Sequence, residues 1–184
     1  MNKLQPADAP KVIGFWQWLM KPDDQGAIGL SNLFNRWSFG GFLLAVVFSA
    51  FSTVDPIGLA KNVALPATGG LIGLSFAWAG RSSSLLQDKE FSTFIIEHGP
   101  PIEGYVYSFQ LAILTVVIFT IVCASLLAGG TGLTFGDHLI DVRANRFYMA
   151  FSGFIALREC WGAIYFSNKL TIQFYRIKKE IKPM

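Results

Sequence analysis

Residues 105–128 read YVYSFQLAILTVVIFTIVCASLLA, twenty-four positions without a charge and with Gln110 as the one strongly polar side chain. A helix needs about 20 consecutive apolar residues to cross the hydrocarbon of a bilayer. In lipid only helices and closed barrels satisfy their own backbone polar groups. The stretch predicts a transmembrane helix, closed by Gly129-Gly130-Thr131-Gly132.

Working outward, three further segments share this character. Trp37–Val54 has no charge over eighteen residues, about 27 Å as a helix, and stops at Asp55-Pro56, where proline disfavours helix in the residue before it. Val63–Gly80 follows Lys61 and Asn62 and contains Pro66, tolerable in a first helical turn because its missing N–H has no intrahelical partner there; a re-entrant hairpin is the alternative. Phe147–Phe166 is long enough to span but carries Arg158 and Glu159. The expected fold is all-α and polytopic. Its parts are a cytoplasmic segment 1–36 with an interfacial amphipathic helix, a four-helix transmembrane domain 37–166 (spans about 37–54, 63–80, 105–128 and 147–166), and a basic cytoplasmic tail 167–184 that continues the last span as helix.

The totals agree. Of 184 residues, 52% are hydrophobic and only 15% charged, with a mean hydropathy of +0.44, too apolar for an ordinary soluble domain. Four spans and their connections leave no room for a separate soluble domain. The net charge of +3 comes from Lys and Arg scattered beside apolar segments, the pattern of membrane flanks, which argues against a nucleic-acid partner. Cys123 and Cys160 both fall inside apolar segments, where a thiol packs as a small residue. Residues 1–10 are mostly polar, so the first span is expected to remain as an anchor instead of being cleaved as a signal.

Basic residues near the spans set the orientation. With the N-terminus inside, eleven lie inside (Lys3, Lys11, Lys21, Arg36, Arg81, Lys89, Lys169, Arg176, Lys178, Lys179, Lys182) and three outside (Lys61, Arg143, Arg146). Both ends are expected on the cytoplasmic face of a cell (inner or plasma) membrane.

Several constellations bear on function. Gly69, Gly73 and Ala77 recur every four positions, a small-residue stripe that lets a second backbone approach closely, from the same chain or another. Leu65-Pro66-Ala67-Thr68-Gly69 matches the LPxTG pattern and resembles a sortase signal, but two further spans follow it, so the match is coincidental. Arg158 and Glu159 each cost about 2.5–3.5 kcal/mol near mid-helix unless paired or hydrated. Adjacent residues point about 100° apart, so the two are not expected to use one face. Glu159 shares its face with Ser152, Ala156 and Ala163. The pair either faces a hydrated pathway, or pairs across helices or subunits to fix assembly, or snorkels to an interface.

In the N-terminal segment Trp16 and Trp18, within Val12–Met20 and flanked by Lys11 and Lys21, suit the headgroup layer; a lid packed on the spans is the alternative. The loop 81–104 mixes Leu85, Leu86 and Phe91 with charges up to Gly99-Pro100-Pro101, either as an amphipathic surface segment or as an extension of the second span. In the tail, Leu170, Phe174, Ile177 and Ile181 follow a coiled-coil seam, while Arg176, Lys178, Lys179 and Lys182 suit anionic lipid.

Catalytic chemistry is poorly supplied. No Ser–His pair, aspartate pair or HExxH lies in a span, and Glu97-His98 and Asp137-His138 with Asp141 sit in separate loops, too few to make a metal site. No cofactor is expected. The leading expectation is a non-enzymatic membrane subunit that self-associates through spans two and four and presents its cytoplasmic parts to a cytosolic protein as sensor or anchor. The alternative is an oligomeric ion-conducting pore or membrane-permeabilising effector with Arg158 and Glu159 in the conduit, and a membrane enzyme comes third.

Overall fold

A computed structural model describes residues 14–20, 33–89, 91–93, 102–129 and 138–181, and every regular element among them is helical. In chain order these are α1 (Phe15–Met20), α2 (Arg36–Phe51), α3 (Pro56–Leu86), α4 (Ile102–Leu127) and α5 (His138–Ile181).

Local chemistry sets the boundaries. Asn35 caps α2, its Oδ1 accepting from the backbone N–H of Trp37 (2.9 Å) and Ser38 (3.1 Å), two of the donors a helix start leaves unpaired. The helix ends at Phe51, three residues before the expected Val54, because Ser52 turns extended. Asp55 then caps α3 through Ile57 (3.1 Å) and Gly58 (2.8 Å), with Pro56 at the first helical position.

One continuous helix takes the place of the hairpin alternative for the second segment. Pro66 removes a donor and crowds the carbonyl four residues back. The chain meets this with a π turn at Ala60–Ala64, in which the Leu65 N–H reaches the Ala60 carbonyl, widening the helix just ahead of the proline.

Helices α3, α4 and α5 form the core. On α5, buried Met149, Gly153, Ala156, Cys160, Ala163, Ser167 and Leu170 alternate four and three apart, as do Phe109, Ala112, Val116, Phe119, Cys123 and Leu126 on α4. That spacing keeps one seam facing the neighbouring helices. The facing positions of α3 are Thr68, Ser75 and Ser82, seven apart and all buried. Small side chains dominate, so backbones come close; a Cβ on Gly153 would stand 3.1 Å from the ring of Phe119. Thr68 and Ser75 donate to the Leu65 and Leu71 carbonyls at 2.8 Å, which satisfies their hydroxyls inside their own helix.

α2 lies antiparallel on the outside of α5, with Ser38, Gly41 and Ala45 turned inward. A Cβ at Gly41 would overlap the ring of Phe154, so only glycine allows this approach.

Two helices, α3 and the Val106–Leu127 part of α4, are long and apolar enough to cross a membrane. Only 17% of the most apolar window of α3 is buried, and 39% of that of α4, whereas the core helix of a soluble protein would be mostly covered. Trp37, Phe39, Leu44, Val47, Phe76 and Ile121 are all exposed. Such a continuous apolar exterior calls for an apolar surrounding.

The N-terminal helix packs as a lid: Trp18 and Leu19 are buried against Tyr107 and Leu111 at the start of α4. The tail seam also differs from expectation. Leu170, Phe174 and Ile177 close on Leu85, Leu86 and Phe91 of the same chain, because α3 continues past Arg81 to Leu86 and brings its own apolar side chains to them. Lys178 adds an ion pair to Asp88 at 3.3 Å and lies over the Phe174 ring.

Candidate functional site

Between the first turn of α2, the start of α4 and the middle of α5 lies a groove of about 770 Å³, open on one side. Its polar lining includes Asn35, Ser108, Arg158 and Glu159, and its apolar lining includes Trp37, Trp161 and Tyr165. Arg158 Nη2 stands 2.7 Å from Glu159 Oε1. This corrects the expectation that neighbours 100° apart would serve different faces: the long guanidinium stem sweeps round the helix to its own neighbour.

Arg158 does more than pair. Its Nη1 donates to Ser38 Oγ and lies 3.5 Å from the Leu33 carbonyl, while Ser38 Oγ itself donates to the Leu33 carbonyl. The ion pair is therefore tied to the start of α2. Glu159 is 7% exposed; its Oε1, although in ionic contact with Arg158, accepts no aligned hydrogen bond. A carboxylate can accept several hydrogen bonds; Oε1 is closed in beside Arg158, and the second oxygen, Oε2, makes none among the described residues and retains that capacity.

Depth along the bundle follows from the register. Ser75 Oγ and Cys160 Sγ are 3.7 Å apart, placing the middle of α3 level with the ion pair. On α5 the pair lies midway between Arg146 and Lys169, the nearest charged residues on either side. Arg36, exposed at the first turn of α2, is close to the same level but does not line the groove.

The remaining expected residues are dispersed. Gln110 is exposed on α4 and lines neither groove. Gly69, Gly73 and Ala77 are exposed, and a Cβ at either glycine would meet nothing within 4 Å. The stripe thus packs against no other helix of the described chain, contrary to the intrachain reading. Ala156 is fully buried in the core, so this face of α5 is already used within the chain. Ser152 lines a second, apolar groove of about 580 Å³ between α2 and α4, with Phe39, Phe42, Ile118 and Ile155. Trp16 is exposed, whereas Trp18 is a packing residue instead of a lipid or partner contact. Arg176, Lys178 and Lys179 are exposed on the tail helix, with Lys178 turned to Asp88. The side chain of Ile181 lies outside the described residues, as do Lys182, Glu97, His98 and Asp137.

Two features escaped sequence reasoning. The heptad of Thr68, Ser75 and Ser82 is the buried face of α3, and its period of seven was the available signal. The second is Arg146, whose Nε donates to the Val54 carbonyl at 2.8 Å and whose Nη1 donates to that of Ser52. Among the described residues no group of three or more His, Cys, Asp or Glu could hold a metal. No family model, curated protein or solved structure matches the chain, so function has to be reasoned from this geometry.

Proposed function

We propose that the chain is a multi-pass membrane protein with four membrane-embedded helices, acting as a non-enzymatic subunit that self-associates and couples the membrane to a cytosolic protein. The observation that carries this reading is α3: apolar, long enough to span, mostly unburied, and bearing Gly69, Gly73 and Ala77 on a face that no helix of the described chain covers. A second copy supplying the same face would bring two backbones together.

Charge spacing supports the embedding. Lys61 and Arg81 bracket an uncharged stretch of α3 of about 30 Å, and Arg146 and Lys169 bracket about 34 Å of α5, close to the hydrocarbon thickness of a bilayer. In that frame α2 enters the bundle at half depth. The positive-inside bias puts both ends in the cytoplasm, where the packed stub of Leu85, Leu86, Phe91, Leu170 and Phe174 would meet a partner and Arg176 and Lys179 would meet anionic lipid.

The test has two arms. The chain should resist alkaline extraction from membranes, and Gly73→Leu should lower the native mass in mild detergent without lowering the melting temperature. A monomeric wild-type chain would overturn self-association. Release into buffer would overturn the embedding.

A second reading, a conduit for ions, is favoured by the level shared by Asn35, Arg36, Arg158 and Glu159 beside an open groove, since charges at that depth call for water. Vesicle leakage abolished by Glu159→Gln would support it.

A further inference from the structure

The groove beneath α2 has a composition that selects a ligand. The polar groups at its inner end are complementary. Asn35 uses its Oδ1 for the cap of α2, which leaves its Nδ2 hydrogens to serve as donors. Glu159 lines the groove with its Oε1 closed in beside Arg158, and its second oxygen, Oε2, which makes no hydrogen bond among the described residues, serves as acceptor. The Arg158–Glu159 pair is internally neutralised at 2.7 Å, so the groove offers no net charge to an ion, and an anionic head would meet the Glu159 carboxylate. The walls are aromatic: Trp37, Trp161, Tyr165 and Phe154 line it, and flat rings prefer offset or edge contacts with such walls. Its volume of about 770 Å³ lies in the range of small-molecule sites.

Depth narrows the class further. This inference rests on the membrane embedding argued above. A phospholipid keeps its charged head at the interface, whereas the inner end of the groove sits at the middle of the bundle. Lipids with uncharged heads pay no ionic desolvation on entering that depth.

We propose that this groove binds a membrane-dissolved lipid with an uncharged, planar, hydrogen-bonding ring as its head, the isoprenoid quinone and quinol class, held between Asn35 and Glu159. A quinone carbonyl accepts from Asn35, and a quinol hydroxyl donates to Glu159. The tail leaves through the open side, past Trp161 and Tyr165, into the bilayer.

The experiment uses the full chain in phosphatidylcholine nanodiscs, after alkaline extraction has established that it is membrane-integral. A decyl-tailed benzoquinone and its reduced quinol are titrated separately while tryptophan fluorescence and melting temperature are followed, with decylbenzene as the headless control. Saturable quenching with a rise in melting temperature is expected for the quinone and not for the control. Asn35→Ala should weaken quinone binding, and Glu159→Ala quinol binding, each about tenfold, the loss of one hydrogen bond. Should those variants fold poorly, Gly162→Leu replaces them: a Cβ there meets nothing within 4 Å, so the larger side chain fills the groove and should abolish saturation. Equal binding of decylbenzene, unchanged binding by Gly162→Leu, or no saturation of the wild type overturns the proposal. Release of the chain by alkaline extraction overturns the embedding instead.

Discussion

Arg146 and Arg158, twelve residues apart on α5, grip opposite ends of α2. Arg146 takes the carbonyls of Ser52 and Val54 where α2 runs out, and Arg158 holds Ser38 Oγ and approaches the Leu33 carbonyl where it begins. Carbonyls in the chain just outside a helix, such as those of Leu33, Ser52 and Val54, have no intrahelical partner and need a donor. A bilayer offers them no water, so charged side chains of the neighbouring helix are well suited to take that place.

Arg146→Gln should destabilise the chain by about 1.5–3 kcal/mol, the range for hydrogen bonds from a charged donor. Denaturation in detergent measures it. Arg146→Lys should recover part of the loss, since one ammonium can reach one of the two carbonyls. Equal stability of Arg146→Gln and wild type would dismiss the clamp.

Gly41→Val forces a side chain into the ring of Phe154, and overpacking of this kind costs about 1–3 kcal/mol. Combining it with Phe154→Ala should restore part of the stability, a coupling that a double-mutant cycle reads directly. Strict additivity of the two changes would show that α2 does not rest on α5 as described.

Arg158→Gln leaves the buried Glu159 carboxylate without its cation and should cost about 3–5 kcal/mol. The double variant Arg158→Gln/Glu159→Gln removes both charges and should be more stable than Arg158→Gln alone. If the double variant is the less stable of the two, the pair is not compensating internally.

Phe91→Ala opens the contact of the α3 extension with Leu170 and Phe174, at about 3–5 kcal/mol for a buried aromatic. Brief trypsin treatment should then cut at Arg176 and Lys178 faster than in the wild type. Unchanged cleavage would mean that the tail is held by something other than this cluster.

Much of the helical layout could be read from composition, because an uncharged run such as Tyr105–Ala128 has few alternatives once lipid is the solvent. The details that were misread all depend on reach or on partners distant in sequence. Arg158 meets Glu159 because its stem is long, which an angular argument from Cα positions ignores. Trp18 looks like a headgroup residue until Tyr107, far along the chain, covers it. The tail seam looked like an oligomer contact because the stretch that fills it, Leu85 to Phe91, is polar enough around its apolar side chains to pass for a surface loop. The stripe of Gly69, Gly73 and Ala77 drew notice through glycine, yet the inward face of α3 is marked by serine and threonine, the hydroxyls of Thr68 and Ser75 turning back to the helix's own carbonyls.

The π turn at Ala60–Ala64 makes chain length matter more there than residue identity. Lys61, Asn62 and Val63 are exposed, so their side chains can be exchanged at little cost. Shortening the stretch by one residue, however, would tighten the coil to an ordinary α turn and press the Pro66 ring against the carbonyl four residues back. The helix would then kink at the proline and shift the turn leading back to α2 from Arg146, so substitutions should accumulate in this segment while deletions are purged.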